Sequence, residues 1–443
     1  MEKIIPWIMY ILSFISLLIY IRKKNKKRKY ILSIINPYII QYIFILFVIP
    51  WFTFSAIAWI KLLGDSAYDL VDIYYDYLLQ SLEINCFGFF IFINAMNFFE
   101  FNEKKSNWLY KSINIIEKYI VSDILKIEFI ICSCVYIVIM FGWSGIGLLG
   151  ENNISANDGI LYYVIFILQN IITMLTLYWG FYVVNNKKGK KFLIIGCIEC
   201  ILMGKRATIM MDVLFAVIVY FLYKTYGSQN RQKVLKRSFK YMILIVTFAV
   251  IMGMLRSTDN SFTFIENILY GNNFSDIRDG AMVLFAFENN YQDGYLYGKS
   301  YLSALISFIP SSVSSFRYDW DWGRFSTLVL LGWEGHPGLR GGWAMESYLN
   351  FGILGIVLSA ITAAYLYSSL EKYFYNEMFI YNSKINEKSI LLLYVFILLA
   401  RRIFCSAGFF GIYVYLSFIL VNILIIFICR KVYINYNKKG EVQ

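Results

Sequence analysis

The run Phe192–Tyr223, FLIIGCIECILMGKRATIMMDVLFAVIVYFLY, decides how this chain is threaded. Read as one helix it crosses a membrane once; read as two short helices with a turn at Gly204-Lys205-Arg206 it crosses twice. The basic segments of the chain choose between the two. Cytoplasmic loops of membrane proteins carry the excess of Lys and Arg, and such segments stand at Arg22–Lys29, Lys104–Lys111, Lys187–Lys191, Lys224–Lys240, Lys372–Lys388 and Arg430–Lys439. A single crossing puts RQKVLKRSFK outside and inverts everything after it. Two crossings put all the basic segments on one side, with Lys205 and Arg206 at the outer face.

Apolar runs of this kind recur from end to end, at 4–21, 38–60, 79–99, 119–141, 159–184, 192–203, 207–223, 241–255, 344–370, 389–404 and 411–429. Hydrophobic residues make up 59% of the chain and charged ones 16%, with mean hydropathy +0.58. In a bilayer the backbone must satisfy its own hydrogen bonds, so continuous apolar runs of ~20 residues mean helices rather than a barrel. The expected fold is all-α, a polytopic membrane helical bundle of about 11 transmembrane helices. A formal charge of +12 lies mostly between these runs, where it orients a membrane protein and argues against nucleic acid as a partner. The first run, IIPWIMYILSFISLLIYI, precedes its basic cluster, the reverse of a cleavable signal peptide, so it is read as a spanning helix with its N-terminus outside. Cys197 and Cys200 form a CxxC without a second such pair or a histidine pair, and are read as helix-surface residues.

The parity divides the chain into N-terminal spanning helices (1–255), one large external loop (256–342), and C-terminal spanning helices with a cytoplasmic tail (343–443). The loop is rich in aromatics, FAFENNYQDGYLYG and SSFRYDWDWGRF, and holds an apolar stretch, YLSALISFIP, ending at Pro310. It is expected to fold and to carry one or two interfacial helices. Tyrosines and tryptophans among Asp, Asn and Arg suit sugar rings and hydroxyls, although a membrane-interface belt uses the same residues.

Basic residues from several helices converge on the outer face: Arg206 beside Lys205, Arg256 closing MILIVTFAVIMGML, Arg340, and Arg401 with Arg402 in LLLYVFILLARRIF. Guanidinium groups at membrane depth are costly unless paired or facing water, so several at one level point to a polyanionic ligand. A lipid-linked phosphate or pyrophosphate fits, held bidentately and stabilised as a leaving group. The stretch Trp333–Gly352, WEGHPGLRGGWAMESYLNFG, holds the one histidine of the chain. His336 is a candidate general base in a Gly/Pro loop. Gly338, Gly341 and Gly342 are read as letting backbone approach substrate closely, and Glu346 as a carboxylate in the first turn of the next helix, where the dipole favours it. Asp319 and Asp321 in YDWDW lack a third ligand at useful spacing for a metal. Glu128 and Glu199 lie inside spanning helices, where an acid is read as functional by default, with neutralisation of a neighbouring basic group the alternative for Glu199.

Together GKRATIM, GMLRS, GKSYLSALISFIP and GLRGGWAMESYLNFGILG resemble the O-antigen and capsule repeat-unit polymerases, the Wzy-type enzymes of bacterial surface polysaccharide synthesis. The resemblance spans roughly residues 190–410 and is best in G-x-S-Y and in G-G-x-x-x-E-S-Y-x-N-F-G. It implies a glycosyltransferase of the membrane-embedded C type, without metal or cofactor, related in architecture to O-antigen ligases and to the peptidoglycan polymerases of the cell-shape and division family. Its place would be the bacterial inner membrane, with the active site on the periplasmic side. A growing glycan on undecaprenyl pyrophosphate would pass to the non-reducing end of an incoming lipid-linked repeat. Arg256 and one of Arg401 and Arg402 match arginines expected on the pyrophosphate, and Glu346 and Tyr348 fall in the E-S-Y segment. His336 departs from a uniform family pattern, so the base is His336 or Glu346. The partners implied are the undecaprenyl-linked oligosaccharide, membrane lipid, a chain-length regulator and a repeat-unit flippase. An O-antigen ligase is the nearest alternative and a flippase for the lipid-linked repeat the alternative from another class. A membrane-bound O-acyltransferase would carry its histidine within a helical core.

Overall fold

The computed structural model describes residues 2–28, 37–51, 54, 68–101, 108–140, 160–203, 215–219, 276–307, 309, 313–334, 338–380, 386–404, 418–420 and 422–424. Among these residues every regular element is helical and no strand occurs. The helices are α1 (Ile5–Arg28), α2 (Pro37–Phe47), α3 (Tyr68–Phe101), α4 (Trp108–Glu117), α5 (Ser122–Ile139), α6 (Ile160–Asn185), α7 (Lys190–Leu202), α8 (Asp276–Asn290), α9 (Lys299–Leu305), α10 (Ser315–Trp320), α11 (Gly342–Ile380) and α12 (Glu387–Phe404). Among the described residues four stretches are long and apolar enough to cross a membrane: Ile5–Lys24, Tyr75–Glu100, Val164–Val183 and Gly342–Tyr373. This is a helical membrane protein. The turn expected at Gly204-Lys205-Arg206 lies outside the described residues, as does the run 241–255, but α7 stops at Leu202, just before that turn.

The chain divides into two compact units. The first holds α1 to α3, α8 to α10 and α11 as far as Ser368. Polar clasps tie its apolar helices together, because a hydrogen bond between helices stays satisfied where no water reaches. Ser13 donates to the Cys86 carbonyl at 2.7 Å, and Tyr42 donates to Asn85 Oδ1 at 2.6 Å. Near the other end of α3, Lys24, Tyr20 and Glu100 form a buried knot, with the Tyr20 hydroxyl 2.7 Å and the Lys24 ammonium 3.5 Å from Glu100 Oε2.

The long helix α11 is where the structure departs from the expected single span at 344–370. Phe351 (φ −144°, ψ 17°) and Gly352 (φ 63°, ψ −150°) are not helical. The chain doubles back there: Ser347 Oγ donates to Ser359 Oγ at 2.9 Å, whereas a straight helix would separate residues twelve apart by ~18 Å. Both limbs reach the same glycine of α3, since Ala344, Trp343 and Ile356 all lie against Gly88. A short limb, 342–350, of ~13 Å therefore folds against a long limb that starts at Ile353 and holds the length needed to span. The continuous apolarity of 344–370 hides this hairpin; only the left-handed backbone at Gly352, natural to glycine, permits it.

The described residues between α8 and α11 are folded, as their aromatic content led us to expect. Val283, Leu284, Phe287, Leu296, Trp322, Phe325, Leu339, Met345 and Leu349 form one buried cluster that unites α8, the loop after it, the Trp322 turn, a π-helical turn at Phe325–Val329 and the short limb of α11. The first half of the apolar stretch YLSALISFIP falls in α9, whose Leu302 and Leu305 stay exposed.

The second unit contains α4 to α7, the end of α11 and most of α12. Glu117 gathers three donors from there: the Tyr373 hydroxyl at 3.0 Å, the Asn386 amide at 2.8 Å and the Ser389 hydroxyl at 2.8 Å. Two further acids of this unit also find neutral donors. Ser133 donates to Glu199 at 3.0 Å and Asn422 to Glu128 at 3.1 Å. Glu199 is thus hydrogen-bonded to a hydroxyl rather than to the basic neighbour expected of it.

Candidate functional site

The short limb of α11 organises the candidate site. A helix that ends leaves its last carbonyls without partners inside the helix. Here the turn Tyr295–Gly298 supplies them. The Leu296 amide donates to the Leu349 carbonyl at 2.9 Å and the Tyr297 amide to the Asn350 carbonyl at 3.0 Å. Gly298 N donates to Asn350 Oδ1 at 2.9 Å. To reach them the turn adopts left-handed backbone at Tyr297 (φ 49°) and Gly298 (φ 83°).

Glu346 sits within this clamp. Its side chain is 1% exposed; Ser300 Oγ donates to its Oε1 at 2.7 Å, and Asn350 Nδ2 donates to Ser300 Oγ at 2.8 Å. The helix begins at Gly342 with no acid in its first turn, so Glu346 stands one turn further in than the sequence suggested. What holds it is the Ser300 hydroxyl in place of the helix dipole. One residue on, the Tyr301 and Ser347 hydroxyls are 2.8 Å apart. Burial first, and the Glu346 carboxylate second, push the Tyr301 phenol far above its ordinary range. Tyr348 is half-buried, its ring edge-on to Tyr295 with centroids 6.5 Å apart.

At the other end of the short limb lies Arg340. Its side chain is exposed, and its backbone amide donates to Asp279 Oδ2 at 3.2 Å. Asp279 is buried and also receives Arg278 at 3.0 Å. Leu339 is pinned from both sides, its amide donating to Ser326 Oγ at 3.0 Å and its carbonyl accepting from Trp322 Nε1 at 3.0 Å. The glycines around it have packing reasons of their own. Gly338 presses on the Gly323 backbone, Gly341 on Trp322 and Met345, and Gly342 (φ 72°) on Asn85. Arg278 and Asp279 were missed in the sequence because DIRDG reads as an ordinary helix start.

Of the remaining candidates, His336, Arg206 and Arg256 lie outside the described residues. Arg401 and Arg402 close α12, with only their helical backbone described. Asp321 is a helix cap, its carboxylate accepting from Gly323 N at 3.2 Å, and among the described residues no three His, Cys, Asp or Glu side chains are grouped to hold a metal. Several rings expected to stack on sugars are engaged inside the fold. Trp322 is buried, Lys299 Nζ sits 4.1 Å over Trp320, and Arg324 covers Tyr318 at 3.0 Å. Tyr295 and Tyr297 remain exposed.

Comparison of the chain with protein-family models, with curated proteins and with solved structures finds no match. The functional reading therefore rests on the residues and their geometry. GKSY and ESYLNFG, the two stretches that carry the resemblance, form one hydrogen-bonded assembly, and Arg340 stands at its far end.

Proposed function

We propose that this protein is a membrane-embedded glycosyltransferase that polymerises undecaprenyl-pyrophosphate-linked oligosaccharide repeat units of an O-antigen or capsule, working at the outer side of the bacterial inner membrane through a bundle of about 11 spans. The observation that carries this reading is the clamp itself: Ser300 on Glu346 and Gly298 on Asn350 join motifs far apart in the chain beside an exposed arginine. A spanning bundle has little structural need for a polar, doubled-back helix capped by an aromatic loop. A site for an amphiphile with a charged head and a sugar chain has that need.

In this reading an acceptor hydroxyl of the incoming repeat attacks the anomeric carbon of the growing glycan. The new glycosidic bond forms as the bond to pyrophosphate breaks, and the pyrophosphate leaves with the electron pair. Arg340, with Arg206, Arg256 and one of Arg401 and Arg402, holds the departing charge, and His336 or Glu346 takes the hydroxyl proton. Glu346 already accepts from Ser300, so serving as base requires that bond to open. Because the glycosyl pyrophosphate bond stores the energy, positioning and charge stabilisation are the main tasks.

The test is the size distribution of undecaprenyl-linked glycan in a strain deleted for this gene, read by mass spectrometry of the lipid pool. Single repeat units exposed on the outer face are the expected result. Long chains stranded on lipid would make the protein a ligase, and single units trapped on the inner face would make it a flippase. In the same assay Arg256→Ala is expected to nearly abolish polymer while the protein stays inserted, and wild-type chain yield from His336→Ala would remove this histidine as the base.

A further inference from the structure

The second unit carries a polar layer that no step of the proposed reaction uses. It lies where α5, α6 and α7 pack together, and the contacts among them fix its register. Between α6 and α7, Gly180 faces Leu193, Trp179 stacks on Phe192 with ring centroids 4.7 Å apart, and Gly196 lies against Thr176. The two helices therefore run antiparallel, which places Glu199, one turn beyond Gly196, level with Thr173 and one turn from Gln169. Between α5 and α7, Phe129 meets Phe192 at 6.0 Å and Ser133 Oγ donates to Glu199 Oε2 at 3.0 Å. Tyr136, one turn past Ser133, belongs to the same layer, and its hydroxyl has the Gln169 amide and the Glu199 carboxylate as polar neighbours. Ser133, Tyr136, Gln169, Thr173 and Glu199 are all buried, Thr173 at 8% exposure being the most open. Within the layer Glu199 Oε1, Gln169 Nε2 and the Tyr136 hydroxyl are closed off from solvent and have no hydrogen-bond partner among the described residues. No Lys, Arg or His among those residues pairs with Glu199.

We propose that this layer binds a monovalent alkali cation of sodium's size, with Glu199 as its anionic ligand. A carboxylate enclosed this far needs a positive charge beside it, because a buried unpaired charge costs far more than a buried dipole. One carboxylate balances one positive charge. A divalent ion would bring a second charge that the layer does not match, since Glu128, the other buried acid of α5, is held by Asn422 at 3.1 Å. The ligands on offer are oxygens: the Glu199 carboxylate, the Tyr136, Ser133 and Thr173 hydroxyls, and the Gln169 amide once it turns its oxygen inward. Such a set suits a hard cation over a transition metal. Water would leave the charge in place. A proton would remove the charge but satisfy neither the Gln169 amide nor the Tyr136 hydroxyl. The ion gives Glu199 the positive partner that the sequence sought in a neighbouring basic side chain, and the inference stands apart from the polymerase reading.

The experiment uses the full-length protein in lipid nanodiscs, with radioactive sodium ion as the probe and choline as the inert cation that keeps ionic strength constant. Wild-type protein is expected to bind sodium saturably and to unfold at a higher temperature in sodium than in choline. Glu199→Gln, which keeps the shape and removes the charge, is expected to lose both effects. Tyr136→Phe removes one oxygen ligand and is expected to weaken binding about tenfold, the worth of one hydrogen bond to a charged group; it decides the matter if the glutamine variant does not fold. Glu128→Gln is the control and is expected to bind as wild type does. Absence of saturable binding in the wild type, wild-type affinity in Glu199→Gln or Tyr136→Phe, or equal loss in Glu128→Gln would each overturn the site. So would a protonated-carboxyl infrared band in saturating sodium that disappears in Glu199→Gln. Failure of the polymerase reading is seen separately, in the lipid pool of the deletion strain, because ion binding needs no turnover.

Discussion

At the residue scale, Glu346 and Gly352 show how a motif and its meaning can come apart. Glu346 drew attention as a charge opening an apolar run, but Ser300, its hydrogen-bond donor, lies 46 residues upstream, and nothing in the sequence gives the register between them. Glu346→Gln keeps an oxygen for Ser300 and is expected to hold the unfolding midpoint near wild type; Glu346→Ala leaves the hydroxyl without its acceptor and is expected to cost ~2–3 kcal/mol. If the glutamine variant makes wild-type polymer, Glu346 is not the base. Gly352→Ala must place a β-carbon at φ 63° and 2.8 Å from the Tyr295 hydroxyl, whereas Gly332→Ala has φ 68° with nothing within 4 Å. Thermal unfolding should therefore show both losing ~1–2 kcal/mol to backbone strain, with more lost at Gly352. Tyr301 predicts an alkaline signature. Its phenol titrates higher folded than unfolded, so stability is full below the unfolded value near pH ~10 and falls by ~1.4 kcal/mol per pH unit above it. Tyr301→Phe should flatten that decline in denaturation followed from neutral to alkaline pH.

At the scale of elements, the apolar runs gave away the helices, since ~20 uninterrupted apolar residues leave no other backbone arrangement in lipid. Their interruptions were harder to see. Nothing in ESYLNFGILG is polar enough at Phe351-Gly352 to betray a reversal, and the asparagine that marks it reads as one more helical residue. The hairpin predicts a cross-link. With Ser347→Cys and Ser359→Cys together, mild oxidation should yield an intrachain disulfide, identified by mass spectrometry of proteolytic fragments, because the native hydroxyls are 2.9 Å apart. In an unbroken helix the sulfurs would be ~18 Å apart and could not join.

At the scale of the whole molecule, the positive-inside alternation expects the loop before α11 outside and Lys188 inside. Tyr297→Cys, at a side chain 68% exposed, should react in intact cells with a membrane-impermeant maleimide, and Lys188→Cys only after permeabilisation; the opposite pattern would invert the proposed topology. The sequence sets an expected side for each segment because lysines cluster between apolar runs, and this labelling tests it. The site was readable only in part, because its arginine end and its tyrosine end are joined by packing among α3, α8 and α11 that leaves no spacing to detect. The clamp at the end of the short limb also bears on how the protein is made. The amides of Leu296, Tyr297 and Gly298 are synthesised about fifty residues before Leu349 and Asn350, which receive them. A nascent chain that has delivered only the first partner leaves these three amides without the oxygens that accept from them in the folded protein. The turn waits for its acceptors until Asn350 has been synthesised, so the clamp closes only after the short limb of α11 is made.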